Sequence, residues 1–181
     1  FRISPLSFYQ VNPSCVQLLY EKAAELSDLK STDTLLDLYC GAGTIGLTMA
    51  HQCKKLIGAE IVQSAVDDAK ENARINGIEN AEFICADAAQ AAKQLASNGL
   101  RPDVITLDPP RKGLSPDVID TVAQMAPSKI VYVSCDPATL ARDAALFETR
   151  GYKADKAFPY DMFPRTAHVE TVVLMSRVEG K

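Results

Sequence analysis

One stretch constrains this chain more than any other: Thr34–Gly46, TLLDLYCGAGTIG, where a short apolar run breaks into a glycine turn and a helix begins. Leu35, Leu36 and Leu38 read as a strand buried on both faces, and Gly41 and Gly43 permit a tight turn without a Cβ clash. The first N–H groups of a helix starting near Thr44 have no partner within it and would point at whatever sits over the turn. Gly41, Gly43 and Gly46 also match the dinucleotide fingerprint, with Glu60 nineteen residues beyond Gly41 at the end of the next apolar run. Two ligand classes fit, a dinucleotide pyrophosphate or the compact S-adenosylmethionine, since each carries a ribose whose two hydroxyls a carboxylate can grip. The spacing alone does not choose between them.

The rest of the chain repeats the pattern. Asn12 before Pro13 predicts a capped helix through about Leu26. After the turn come helix Ile45–Gln52, strand Lys55–Ile61 and helix Ser64–Asn76, then strand Ala81–Ala86, helix Ala88–Ser97 and strand Asp103–Leu107. The loop DPPRKGL leads into a helix from Pro116 to about Met125, a strand Lys129–Ser134 and a helix Pro137–Arg150 stopped by Gly151. Two last strands, Tyr152–Phe158 and His168–Ser176, have no helix between them, which favours an antiparallel pair. The expected fold class is therefore α/β, a doubly wound, Rossmann-like and mostly parallel sheet with an antiparallel last strand, as one domain over residues 1–181 with segment 1–30 packed on it. Ligands in such sheets lie beyond the carboxyl ends of the strands, so the positions that matter are Tyr39 to Gly43, Glu60, Asp87, Asp108 and Cys135.

Composition narrows the class. At 181 residues the chain can bury roughly 70% of its unfolded surface. No run of about 18 apolar residues is present, so no membrane segment is expected. Five cysteines without a CxxC pair point to a reducing compartment, the cytoplasm, and away from a metal site. A net charge of −4 is not the footprint of an autonomous nucleic-acid binder; Arg111, Lys112, Arg142, Arg150 and Arg165 are the candidates for a local basic patch. Phe1 in place of Met, with no leader pattern behind it, sets the expectation of a piece of a longer protein with further N-terminal domains.

Three motifs carry reactive groups. Asp108-Pro109-Pro110-Arg111 puts a carboxylate at the mouth of a strand and stiffens the loop beyond it. Cys135, in Ser134-Cys135-Asp136-Pro137, falls where a helix dipole would stabilise a thiolate, with Asp136 opposing it. Cys15, Cys53 and Cys85 read as small core hydrophobes, and Cys40 as packing beneath the ligand. Glu170, behind His168 in an otherwise apolar strand, needs a partner or a task; buried, its pKa should rise and suit it to take a proton.

Phe8–Pro13 (FYQVNP), Asp37–Leu47 (DLYCGAGTIGL), Asp108–Gly113 (DPPRKG), Ser134–Asp143 (SCDPATLARD) and Phe163–Val172 (FPRTAHVETV) together resemble the RNA 5-methyluridine methyltransferase family, in order and over almost the whole chain. The resemblance implies a class I S-adenosylmethionine-dependent methyltransferase with Cys135 as nucleophile and Glu170 as base. It implies a cofactor site lined by Gln10, Tyr39, Gly41, Gly43, Thr44, Glu60, Asp87 and Asp108, with Glu60 on the ribose and Asp87 near the adenine. Phe8, Arg111, Arg142, Arg165 and His168 are the implied substrate contacts. RNA is the implied partner, ribosomal RNA preferred over transfer RNA, and no metal is implied within these residues. An amine methyltransferase using Asp108-Pro109-Pro110, a nicotinamide-dependent oxidoreductase and an inactive cofactor- or RNA-binding module are the alternatives.

Overall fold

The computed structural model describes residues 1–2, 12–166 and 168–178. Helix α1 (Pro13–Ser27) starts where Asn12 Oδ1 accepts from the Cys15 N–H at 3.2 Å, and ends at Asp28 in the left-handed conformation. Next come β1 (Thr34–Leu38), α2 (Thr44–Met49) with a 3-10 turn at Ala50–Gln52, β2 (Lys55–Glu60), α3 (Gln63–Ile75), β3 (Ala81–Cys85), α4 (Ala88–Ser97) and β4 (Val104–Leu107). Helix α5 (Pro116–Met125), β5 (Lys129–Ser134), α6 (Pro137–Glu148), β6 (Tyr152–Tyr160) and β7 (Glu170–Arg177) complete the order. The expected elements are present with ends moved by a residue or two, as fraying termini allow.

The strands form one sheet in the order β3-β2-β1-β4-β5-β7-β6. Pairs among β1 to β5 are parallel, and β7 is antiparallel to both β5 and β6. Period-2 alternation feeds two cores. Leu36, Leu38, Ile57, Ile105, Leu107, Ile130 and Tyr132 pack with α4, α5 and α6; Leu35, Leu56, Val104, Val131 and Val133 pack with α1, α2 and α3. By the same alternation Asp37, Thr106 and Glu170 project to the α1–α3 face.

One cysteine departs from expectation. Cys53 is buried and Cys15 half-buried, but Cys85 is exposed, at the last position of β3, an edge strand. Among the described residues no helix is long and apolar enough to cross a membrane, and no group of three His, Cys, Asp or Glu is arranged to hold a metal ion.

Candidate active site

The order of the strands reverses between β1 and β4, and the ends of the strands there bring the expected residues to one rim. Leu38 pairs with Leu107 and Leu107 with Tyr132, so Tyr39, Asp108 and the end of β5 lie side by side. Ser134 pairs with Thr171, and the next step of that antiparallel ladder sets Glu170 against Cys135.

The glycine turn is braced by carboxylates. Tyr39 has φ 64° and Gly41 φ 53°, so the chain passes through the left-handed region twice in three residues. Glu60 Oε2 accepts from the Gly41 N–H at 3.1 Å and its Oε1 from the Val62 N–H at 2.9 Å. Asp37, almost fully buried, accepts from the Gly46 N–H at 3.0 Å and from the Thr106 hydroxyl at 2.6 Å. Burial, and to a lesser degree Glu60, pushes its pKa up to about 6 against those two bonds. Gly46 must be glycine: a Cβ there would lie 2.7 Å from Asp37 Oδ2. Of the helix amides expected to face a ligand, that of Gly46 is therefore committed to Asp37, and the turn amide of Gly41 to Glu60. A pyrophosphate would meet the Glu60 carboxylate at the turn, whereas a cationic ligand gains from the same charge.

The reactive groups lie within each other's fields. Burial, then Glu170 and Asp37, holds the Asp108 carboxyl well above its usual range. Glu170 is only 3% exposed, and burial raises its pKa against the attraction of Arg111. Burial, then Glu170 and Asp108, raises the Cys135 thiol, with Arg111 opposing. This corrects the expectation of a thiol lowered by the helix dipole, and it relocates the opposing charge. Asp136 caps α6 by accepting from the Ala138 and Thr139 N–H groups at 2.8 and 3.1 Å; the carboxylates facing the thiol belong to other strands.

Other expected residues have definite places. Tyr39 is half-buried, its hydroxyl pushed up to about 12 by burial, Asp87 and Asp143. Asp87 caps α4, accepting from Ala89 and Gln90. The Thr44 hydroxyl meets the Tyr20 hydroxyl at 3.0 Å. Gly43 has φ 79°, and a Cβ there would press on Leu47, Ala69 and Phe83. Arg111 Nη2 lies 3.4 Å from His168 Nε2, and the His168 ring meets Phe163 edge-on. Arg165 is exposed at φ 71° in the β6–β7 loop. Arg142 is half exposed, but its Nε and Nη2 are bonded to Asp143 and to the carbonyls of Lys112 and Leu114. Phe8 and Gln10 lie outside the described residues.

Two participants escaped the sequence reading. Asp37 was visible as a charge inside the apolar run LLDL. Asp143 falls between Leu140 and Phe147 on the buried stripe of α6, where an acid is as conspicuous as Glu170 in its strand.

A sequence model described as tRNA (Uracil-5-)-methyltransferase matches residues 1–178. An uncharacterized RNA methyltransferase of Clostridium tetani is 50% identical over 97% of this chain, and one of Enterococcus faecalis is 48% identical over 98%. The chain spans 38% and 39% of the length of these two relatives. The crystal structure of Pyrococcus abyssi tRNA (uracil-54, C5)-methyltransferase in complex with S-adenosyl-L-homocysteine superposes with a TM-score of 0.80 at 34% identity, covering 96% of this chain and 41% of that one.

Proposed function

The chain belongs to the tRNA (uracil-5-)-methyltransferase family, and from that membership we propose that it methylates carbon 5 of uridine in RNA with S-adenosylmethionine as methyl donor. The observation that carries the reading is the meeting of Cys135, Asp108 and Glu170 at one sheet rim, where Glu170 raises the pKa of both Asp108 and Cys135 and Asp108 raises that of Cys135. Carbon 5 of uracil is a weak nucleophile. A Cys135 thiolate adding to carbon 6 forms the C–S bond and moves the ring electrons toward carbon 5. When bound, S-adenosylmethionine supplies an electrophilic methyl group to that carbon. Glu170 then takes the carbon-5 proton, the C5–C6 double bond re-forms, and the electron pair of the C–S bond leaves with Cys135.

The acidic rim supports S-adenosylmethionine over a dinucleotide, because a sulfonium and an ammonium are attracted where a pyrophosphate is repelled. Tyr39, Gly41, Gly43, Thr44, Glu60, Asp87 and Asp108 are the described residues that would hold it, with Gln10. Arg111, Arg165 and His168 would face RNA, with Phe8 stacking on a base that must be unpaired or flipped to reach the thiol.

The test is intact-protein mass spectrometry of the full-length protein incubated with S-adenosylmethionine and RNA bearing 5-fluorouridine. Fluorine at carbon 5 leaves no proton to remove, so an adduct carrying the transferred methyl is expected to persist. No adduct with any RNA offered would overturn the assignment. Ribosomal RNA, preferred from the sequence, and transfer RNA, named for the Pyrococcus abyssi neighbour, are the substrates to set against each other in that assay.

A further inference from the structure

The loop after Asp108 is gripped from below by α6. Asp143 has no exposed surface, and its Oδ2 accepts from the Leu114 N–H and the Tyr132 hydroxyl, each at 2.8 Å. Its Oδ1 pairs with Arg142, at 2.9 Å to Nε and 2.7 Å to Nη2. Arg142 Nη2 also donates to the carbonyls of Lys112 at 2.9 Å and Leu114 at 3.3 Å. Between these bonds the chain turns from Pro110 to Gly113, closed by the Gly113 N–H on the Pro110 carbonyl at 2.8 Å, with Arg111 and Lys112 at its corners. Gly113 lies at φ 69° against the pair. A Cβ there would come 2.5 Å from Asp143 Oδ2 and 2.6 Å from Arg142 Nη2, so the turn sits as close to the clamp as backbone can.

These contacts join three pieces of the rim. Tyr132 lies three residues before Cys135 on β5, the clamp lies on the helix that Cys135 introduces, and the turn carries Arg111. Arg111 in turn reaches His168, two residues before Glu170.

We propose that Arg142 and Asp143 form a positioning pair for the active site, clamping the Pro110–Gly113 turn so that Arg111 at its corner stays beside His168, Glu170 and Cys135. The pair deepens the proposed uridine methylation and rests on it for the reaction served, while the coupling from clamp to thiol is independent of substrate. Cys135 is faced by Glu170 from β7, Asp108 from the end of β4 and Arg111 from the turn; Asp136 of its own element is turned to the α6 amides. Releasing the turn withdraws the cation of this group and leaves the thiol facing two acids.

The experiment is the pH profile of Cys135 alkylation by iodoacetamide in the full-length protein, read by peptide mass spectrometry so that exposed Cys85 does not interfere. Arg111→Ala and Arg142→Ala are each expected to move the profile to higher pH by about half a unit. The double variant is expected to move it no further than Arg111→Ala alone, because both changes remove the same cation. Arg142→Lys is expected to fall between wild type and Arg142→Ala, since one ammonium cannot reproduce the guanidinium fork. A folded Arg142→Ala with the wild-type profile, or additive shifts in the double variant, would overturn the proposal. Should Arg142→Ala not fold, an Arg142→Lys profile that coincides with wild type overturns it equally. Absence of the fluorouridine adduct beside a coupled profile rejects the uridine reading and keeps the clamp; an adduct beside an uncoupled profile rejects the clamp alone.

Discussion

With Glu170 replaced by Gln, turnover on uridine RNA is expected to fall by about 10²–10⁴-fold while the covalent protein–RNA species accumulates. Gln has the shape of Glu but does not accept the carbon-5 proton, so the reaction should run through thiol addition and methyl transfer and halt before release. Cys135→Ala should halt it before the first bond, and no covalent species should form. The pair therefore separates the two roles on one gel and one mass spectrum. The charge change has a second consequence. Glu170 raises the Cys135 pKa, so its neutralisation should move thiol alkylation to lower pH, opposite in sign to the loss of Arg111. Wild-type turnover in Glu170→Gln would transfer the base role elsewhere, with Asp108, the other acid that raises the same thiol, as the alternative. An alkylation profile displaced upward would mean that Glu170 does not face the thiol.

Asp37→Ala is expected to cost about 3 kcal/mol of stability, because the Gly46 N–H and the Thr106 hydroxyl lose their acceptor in a buried site. Asp37→Asn should behave differently. The amide oxygen can accept from Gly46 and the amide nitrogen can donate to Thr106 Oγ1, so both contacts survive without the charge. The wild-type carboxyl titrates near 6 in the fold, against about 3.9 in the unfolded chain. Between those values the folded protein holds the proton more tightly, so this group's contribution is intact below about pH 4 and is lost as pH rises through 6. The difference between those two values corresponds to about 3 kcal/mol. Urea unfolding of wild type and Asp37→Asn at several pH values isolates this group's contribution, since the other acids are common to both. The difference should move in favour of Asp37→Asn between pH 4 and 6; a difference flat with pH would show that Asp37 is not the buried acid described.

The elements were legible because local signals mark them. Asn12-Pro13 and Ser115-Pro116 cap and open helices, Gly77 and Gly151 end them with positive φ, and the strands are apolar runs fed into two cores. The rim residues were legible for a topological reason: in a doubly wound sheet the residue after each strand falls at one edge, so Glu60, Asp87, Asp108 and Cys135 could be named from strand ends alone. Glu170 and Cys135 were distinguished by chemistry out of place, an acid beside VVLM and a thiol at a strand-to-helix junction.

Charge relations were not legible, because they depend on which groups face one another across strands distant in sequence. The helix dipole and Asp136 are the neighbours of Cys135 in sequence, yet Glu170 and Asp108 set the sign of its pKa shift. Arg142 reads as a surface cation until α6 turns its Nε and Nη2 donors onto Asp143 and the carbonyls of the loop. By itself the sequence determined the order of elements and the sheet class and put forward the candidate site residues, since backbone propensity, apolar periodicity and residue chemistry are local. Only the tertiary structure decided which amides and cations were already taken, because long-range pairing sets carboxylates against a turn and a thiol and brings the Lys112 and Leu114 carbonyls onto the Arg142 guanidinium.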